Sequence, residues 1–307
     1  MPAYICCVRA VRYSQYGGPE VLGVADVEEP HAGPGQIRVA VRAASVNPID
    51  WKIRSGALAQ TMPVDLPQIP GRDAAGVVDE VGDGVEHVAA GDEVFGFTVG
   101  FGAAEYALLD GFARKPDGMS WEEAAGIPVA AETSVRALEL VGLNEGQTVL
   151  INGAAGGVGT AAVQIARARG ARVIGTASER NHDFLRSLGA EPTTYGPGLV
   201  ERVRALGGAD LAFDTAGQGA LRDLIEITGG PDKVITIADY GAGELGVRIT
   251  GGGSDARAVH ALGEAAALWQ QGRFSLPVQA FPFSQAADAH RLSEDGHVRG
   301  KLVLVPD

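Results

Sequence analysis

Cysteine is nearly absent from this sequence. The 307 residues contain two cysteines, Cys6 and Cys7, which are neighbours in the chain. Adjacent cysteines seldom form a disulfide, and no third cysteine is present to pair with either, so a disulfide framework is excluded. A chain without disulfides fits a reducing compartment, and we expect a cytoplasmic protein.

The sequence also lacks long apolar runs and an excess of positive charge. No run reaches the roughly 18 apolar residues of a membrane span, so no membrane partner is expected. Lys and Arg number 25 against 38 Asp and Glu, which gives a net charge of −13. This charge argues against a nucleic-acid partner and leaves a small molecule as the expected ligand.

Metal-ligand spacing is a third absence. The six histidines are scattered and show no zinc-site pattern, which indicates surface or polar-core positions and no metal site. They are His31, His87, His182, His260, His290 and His297. Without a metal to polarise an alcohol oxygen, alcohol oxidation is disfavoured.

Glycine, by contrast, is abundant, and one glycine-rich stretch has a specific context. Residues 148–159 form an apolar strand pattern that ends in a glycine turn, and residues 160–167 continue with a helical pattern. Ala154, Gly156 and Gly159 have the spacing of a dinucleotide fingerprint, with alanine at the first position. Small residues allow a tight turn and close approach of a pyrophosphate to the helix N-terminus. An ordinary glycine-rich turn is the alternative. The predicted cofactor contacts here are Ala154, Ala155, Gly156, Gly157, Val158 and Gly159.

The second strand of this region, residues 172–177, ends at the position where a dinucleotide site contacts the ribose of the cofactor. NAD sites normally have an acidic residue there, whereas this chain has small neutral residues followed by Ser178, Glu179 and Arg180. Ser178 and Arg180 can bind a 2′-phosphate, which predicts NADPH. Two alternatives stay open: Arg180 is only a solvated cation, or Glu179 occupies the strand tip and reads the ribose of NADH.

The periodicity divides the chain in three. Residues up to about 125 read as short strands joined by Gly and Pro turns, which predicts a β-barrel-like region. Strands and helices then alternate, as in a doubly wound parallel sheet, and the tail is expected to pair with the first region. The predicted domains are 1–130 together with 273–307, and 131–272. In the alternating region, strands are expected near 148–153, 172–177, 192–195, 209–214, 233–238 and 245–250, and helices near 157–170, 180–188, 198–206, 218–228 and 255–272.

Several stretches, taken in order, carry a family resemblance. They are 13–22, 44–52 with Arg54 and Gly56, 70–78, 102–106, the fingerprint, and 297–304. Together they resemble the zinc-independent quinone oxidoreductase branch of the medium-chain dehydrogenase/reductase superfamily, along essentially the whole chain. The resemblance implies an α/β protein with a GroES-like β-barrel domain and a Rossmann domain, which has a doubly wound parallel sheet and binds NADPH.

Departures from the zinc-dependent alcohol dehydrogenase branch narrow the chemistry. That branch has a cysteine ligand where this chain has Asn47, and Gly-His-Glu where it has Gly71-Arg72-Asp73. The resemblance therefore implies metal-free hydride transfer to a quinone or to the C=C bond of an α,β-unsaturated carbonyl. Two other classes stay in view: a non-catalytic NADPH-binding or sensing protein, and a zinc-dependent alcohol dehydrogenase.

The candidate catalytic segment is 47–52, because related enone reductases share an Asn-Pro-x-Asp-x-Lys pattern. Asn47 is a candidate to bind the nicotinamide ribose or the substrate carbonyl. Lys52 is a candidate to stabilise an enolate oxygen or to relay a proton with Asp50. A structural Asp50–Lys52 ion pair at a helix start is the alternative. Thr133 resembles the family threonine that faces the nicotinamide, with a helix N-cap as the alternative.

Loops after the later strands complete the predicted cofactor site. Tyr195 resembles a family tyrosine near the 2′-phosphate, although a plain strand-end aromatic is the alternative. By the same resemblance the next three loops line the cofactor, through Thr215, Ala216, Gly217, Ala238, Tyr240 and Gly252. A flexible glycine linker is the alternative for the last of them. The sixth strand, 245–250, is expected at a sheet edge, where it would pair with its own copy in a homodimer.

Overall fold

The computed structural model describes residues 7–251 and 255–307. The chain divides into two compact units. The first comprises Met1–Val129 and Leu276–Asp307, and the second comprises Ala130–Ser275. No helix within the described ranges is long and apolar enough to cross a membrane.

The strands and helices are numbered in chain order. The strands are β1 (Cys7–Arg12), β2 (Gly23–Glu28), β3 (Ile37–Val46), β4 (Asp73–Val81), β5 (Glu93–Thr98), β6 (Tyr106–Arg114), β7 (Thr148–Asn152), β8 (Arg172–Thr176), β9 (Glu191–Thr193), β10 (Leu211–Asp214), β11 (Val234–Thr236), β12 (Arg248–Ile249), β13 (Val278–Pro282) and β14 (Lys301–Val305). The helices are α1 (Pro48–Arg54), α2 (Trp121–Leu140), α3 (Gly157–Ala168), α4 (His182–Ser187), α5 (Leu199–Ala205), α6 (Leu221–Thr228), α7 (Ala261–Gln270) and α8 (Ala286–Glu294).

The first unit is built around a closed antiparallel barrel. β3 pairs with β4, β4 with β5, and β5 with β6, and β6 pairs back with β3. Alternate side chains of β3, beginning with Ile37 and Val39, are buried in the barrel core with Val94 and Leu109. β14 pairs antiparallel with the end of β3, and β13 runs parallel to β14. The tail therefore belongs to the first unit.

The second unit contains a six-stranded parallel sheet in the order β12-β11-β10-β7-β8-β9. The strand order reverses between β7 and β10, which is the topological switch point of a doubly wound fold. All six strands lie where the sequence predicts them. β12 is shorter than expected because Ala242–Leu245 forms a 3-10 turn, and α7 begins at Ala261 rather than near residue 255.

α2 is the main element that the periodicity does not reveal. It runs for 20 residues and contains Pro128. Proline lacks an amide N–H and disfavours a helical residue before it, so it normally indicates a helix end. Here the helix continues, and the amide of the next residue, Val129, donates to the Asp73 carboxylate at 3.0 Å. A contact distant in the sequence thus holds the helix at the position where the local signal predicts a break.

Candidate active site

The tight turn after β7 is made by Gly153, one residue before the first predicted fingerprint position. Its φ is +81°, and a Cβ atom there would lie 2.8 Å from Thr215 Oγ1. Gly159, in the first turn of α3, is equally constrained, since a Cβ there would lie 2.2 Å from the Gly153 carbonyl oxygen. The turn and the helix start therefore pack at a distance that only glycine permits.

The N-terminus of α3 is open to a ligand. Its N-cap, Gly156, supplies no side-chain hydrogen bond, and a Cβ there would approach only the Gly153 oxygen, at 3.5 Å. The first amides of a helix have no acceptor within the helix, and they lie at the positive end of its dipole. This combination of reachable backbone and unpaired donors fits the pyrophosphate of a dinucleotide.

Four buried polar side chains link the carboxyl ends of β7, β8, β10 and β11, and we call them the carboxyl-edge network: Asn152, Thr176, Asp214 and Thr236. Each is 3% exposed or less. Asn152 donates to Asp214 at 2.8 Å, Thr176 to Asn152 at 2.6 Å, and Thr236 to Asp214 at 2.7 Å. The Gly153 amide donates to Thr176 Oγ1 at 3.0 Å, which ties the fingerprint turn to the network.

The carboxyl-edge network also fixes the loops that carry predicted cofactor residues. The amides of Ala216 and Gly217 donate to Asp214 Oδ1 at 3.1 and 2.9 Å. The Ala238 amide donates to Thr236 Oγ1 at 3.1 Å. Sequence reasoning missed the four network residues because each reads as an ordinary strand end. Their only signal is that each one is a polar residue at or next to the end of an apolar strand.

The remaining predicted cofactor residues have different surroundings. Thr215 donates its hydroxyl to the Asn152 carbonyl at 2.7 Å, so that side chain braces the turn. Tyr195 and Tyr240 are 54% and 60% exposed, which leaves both rings accessible. Gly252 lies outside the described residues.

The tip of β8 carries no acidic residue. The strand ends at Thr176, and a 3-10 turn begins at Glu179 after half-buried Ser178. Glu179 and Arg180 are both exposed, and across the described residues neither forms an ion pair. The Arg180 guanidinium is therefore available to a phosphate group.

The first unit holds a second group of buried polar side chains, which we call the Asn47 cluster: Ser45, Asn47, Asp50, Asp73 and Lys301. Each is 5% exposed or less. Asn47 Nδ2 donates to Asp73 at 2.9 Å, and the Lys301 ammonium donates to Asn47 Oδ1 at 2.5 Å. Ser45 donates to Asp73 as well. The cluster thus brings together two predicted residues, Asn47 and Asp50, and three that sequence reasoning left without a role.

Local sequence explains how α1 starts inside this cluster. β3 ends at Val46, Asn47 is the N-cap of α1, and Pro48 occupies the first helical position, where a missing N–H is harmless. The Asn47 amide donates to Asp50 Oδ2 at 2.7 Å, as in one half of a capping box. Asp50 therefore faces the N-cap, and Lys52 lies two residues further along the same helix. Residues two apart on a helix do not face each other.

Burial shifts the pKa values of the charged residues in this region. Burial raises the pKa of Asp50 to about 6, and the hydrogen bond from the Asn47 amide opposes this shift. Burial lowers the pKa of Lys301, although Asp73 and Asp50 act in the opposite direction. Burial also lowers the pKa of Lys52. A lysine with a lowered pKa is a stronger proton donor than an exposed one.

Two predicted catalytic residues have contacts that define their roles more closely. Both polar atoms of the Asn47 side chain have partners inside the cluster, and the residue is 3% exposed. This favours a positioning role over a direct contact with substrate.

Thr133 lies inside α2 and donates to Glu132 at 3.3 Å. The N-cap alternative for Thr133 is therefore wrong.

Within residues 7–251 and 255–307, no three His, Cys, Asp or Glu side chains are arranged to hold a metal ion. At the position of the Asn47 cluster the partners are instead an amide, a hydroxyl, two carboxylates and an ammonium.

Two known protein families match separate parts of the chain. The alcohol dehydrogenase GroES-like domain family matches residues 33–127, and the zinc-binding dehydrogenase family matches residues 188–304. A chloroplast envelope quinone oxidoreductase homolog of Arabidopsis thaliana is 30% identical, over 97% of this chain and 98% of its own. A chloroplastic NADPH-dependent alkenal/one oxidoreductase of the same plant is 32% identical, over 97% of this chain and 80% of its own. The structure of the quinone oxidoreductase from Coxiella burnetii superimposes with a TM-score of 0.86 at 32% identity, covering 98% of this chain and 100% of that one.

Proposed function

Since this chain belongs to the quinone oxidoreductase branch of the medium-chain dehydrogenase/reductase superfamily, we propose that it uses NADPH to reduce quinones or the C=C bond of α,β-unsaturated carbonyl compounds. The observation that carries this proposal is the open N-terminus of α3. Gly153 and Gly159 pack the turn, and Gly156 leaves its backbone reachable. Such a helix start binds the pyrophosphate of a nicotinamide dinucleotide.

We propose NADPH rather than NADH because of the residues that follow β8. The strand tip has no acidic side chain to accept from a ribose 2′-hydroxyl, and Ser178 lies two residues beyond the strand's last residue, Thr176. The exposed guanidinium of Arg180 can pair with a 2′-phosphate through two parallel hydrogen bonds. A related protein that matches 97% of this chain is named as NADPH-dependent, which supports the same preference. Glu179 is the residue that would favour NADH.

When bound, the nicotinamide supplies a hydride, and the protein has to place the acceptor and receive its charge. For an enone, the hydride adds to the β-carbon and negative charge collects on the carbonyl oxygen. We assign Lys52 to stabilise that oxygen and to return a proton, since burial lowers the pKa of its ammonium. Asn47 and Asp50 fix the first turn of α1, the helix that carries Lys52. A quinone accepts the hydride in the same way and gives a hydroquinone.

We further propose that no metal takes part. The side chain that stands at the position of the zinc-branch cysteine is Asn47, and its oxygen already accepts from the Lys301 ammonium. An ammonium within hydrogen-bond distance disfavours a divalent cation at the same oxygen by charge repulsion. A lysine thus supplies the positive charge in this part of the first unit.

The sheet edge of the second unit supports a proposal about assembly. β12 is the last strand of its sheet, and Ile249 on it is 39% exposed. An exposed edge strand is a template for pairing with another chain, and we propose a homodimer formed through β12. The cytoplasm remains the proposed compartment, because the chain has no disulfide framework.

A steady-state assay with NADPH and a panel of quinones and enones tests the catalytic proposal. We expect turnover that persists in the presence of a chelator. Tight NADPH binding without reduction of any acceptor would contradict the proposal and favour a sensing protein. Oxidation of simple alcohols that is lost with a chelator would favour the zinc-dependent class.

A further inference from the structure

Lys301 is a buried cation for which the proposed chemistry has no direct use. It is one of four lysines in the chain and is 5% exposed. Its ammonium donates to Asn47 Oδ1 at 2.5 Å and lies 3.5 Å from the Val46 carbonyl oxygen. A buried charge is tolerated only where it is paired and hydrogen-bonded, so these contacts must offset part of the burial that lowers the pKa of Lys301.

The chain is constrained on both sides of this lysine. Gly300 has a φ of +71°, and a Cβ there would lie 2.1 Å from the Pro277 carbonyl oxygen. The Lys301 amide donates to that same oxygen at 2.9 Å. On the other side, a Cβ on Gly126 of α2 would lie 3.5 Å from Lys301 Cβ. The lysine stem therefore passes α2 at a helical glycine, a residue that is unfavourable inside a helix.

The contacts of Lys301 lead to the catalytic segment. Lys301 binds the Asn47 side chain, and the Asn47 amide binds Asp50 in the first turn of α1. The side-chain nitrogen of Asn47, Nδ2, donates to Asp73. We propose that Lys301 is a positioning residue that fixes Asn47 and the start of α1, and through that helix the ammonium of Lys52. The inference rests on the proposed reductase function.

Because of the charges around Asp50, the role of Lys301 can be measured through the pH dependence of the rate. Asp50 is faced by Arg72 and Lys301, which lower its pKa, by Asp73, which raises it, and by the phenol of Tyr13. Removal of the Lys301 charge leaves the carboxylates of Asp50 and Asp73 without one of the cations that lower the pKa of Asp50. The pKa of Asp50 then rises further above its usual range. Because the ionised carboxylate accepts most strongly from the Asn47 amide, the acid limb of the rate profile should move to higher pH.

The experiment compares Lys301→Met with Lys115→Met. Lys115 is a suitable control because its side chain is also buried, at 6%, but pairs with Glu93 outside the Asn47 cluster. We expect Lys301→Met to lower kcat about tenfold to a hundredfold, since small misplacements of reacting groups have effects of this size. The KM for NADPH should change less than about twofold, and the acid limb should move up. Lys115→Met should retain the wild-type kcat and profile.

Hydrogen exchange in the same proteins separates this inference from the proposed function. Lys301→Met should speed amide exchange in α1, and Lys115→Met should not, whether or not a substrate has been found. If the wild type reduces no quinone or enone, the proposed function fails, and α1 exchange alone decides the role of Lys301. Wild-type kcat, pH profile and α1 exchange in Lys301→Met would overturn the inference.

A second variant applies if Lys301→Met does not fold. Lys301→Arg keeps the charge but places a larger head against Asn47. We expect its acid limb to stay at the wild-type pH while kcat falls. A folded Lys301→Arg protein with wild-type kcat would overturn a positioning role.

Discussion

At the scale of single residues, the proposed preference for NADPH depends on Arg180. Losing one charge-assisted phosphate contact costs about 1.5–3 kcal/mol, which is roughly tenfold to a hundredfold in affinity. We therefore expect Arg180→Ala to raise the KM for NADPH by that factor and to leave the KM for NADH nearly unchanged. Steady-state kinetics with both cofactors measures this.

The matched control for Arg180→Ala is Arg186→Ala. Arg186 is another exposed arginine on the same segment, with a side chain 59% exposed and paired with Asp183. Its replacement should leave both KM values as in the wild type. Equal use of NADPH and NADH by the wild type would instead indicate that Glu179 reads the ribose.

Lys52 carries the charge-stabilising step of the proposal. If its ammonium stabilises the enolate oxygen only in the transition state, Lys52→Met should lower kcat and kcat/KM together. The expected loss is roughly a hundredfold, as for removal of one oxyanion donor. The dissociation constant of NADPH, measured by fluorescence titration, should stay the same.

Lys233→Met is the control for this experiment. Lys233 lies in the second unit, where its ammonium donates to the Thr228 carbonyl at 3.2 Å, so its loss should not affect turnover. Wild-type turnover in Lys52→Met would remove Lys52 from the mechanism.

The sequence predicts residues whose role depends on near neighbours better than those with distant partners. The spacing of Gly156 and Gly159 predicts a helix start with small residues, and the constraint on Gly159 explains why glycine is needed. Lys301 and Asp214 could not be predicted in this way. Lys301 binds a residue 254 positions away, and Asp214 binds one 62 positions away. Only the folded chain brings such partners together.

At the scale of elements, periodicity predicts the second unit well and fails at α2. Buried parallel strands read as apolar runs between helical patterns, and each such run is visible locally. α2 is not predicted, because Pro128 locally indicates a helix end. The helix continues past Pro128, where Val129 contacts Asp73, a residue distant in the sequence. β12 is shortened to two residues for a similar reason, since the preceding segment folds into a 3-10 turn.

β12 also carries the prediction about assembly. We expect light scattering at micromolar concentration to give twice the 31.6 kDa mass of the chain. Ile249→Lys should shift the protein toward a monomer, because a charged side chain on an edge strand opposes pairing. Val24→Lys is the control, since Val24 is 37% exposed on β2 in the other unit. A wild-type monomer would contradict the proposed dimer.

At the scale of the whole molecule, the two-part architecture follows from two different sequence patterns. Short alternating strands predict a barrel-like first unit, and alternating strands and helices predict the parallel sheet of the second. Such patterns do not predict that the barrel closes through the pairing of β3 with β6, because these strands are not consecutive in the chain. The chain belongs to a superfamily with several chemistries, so the fold alone does not identify the reaction.

The position to which the hydride goes is therefore the most direct test of the account. NADPH deuterated at the transferring C4 position is supplied with an enone, and the product is analysed by NMR and mass spectrometry. The account predicts one deuterium per product molecule, on the β-carbon, with the carbonyl group retained and the reaction unaffected by a chelator. Deuterium on the carbonyl carbon, or NADPH binding without any transfer to enones or quinones, would contradict it.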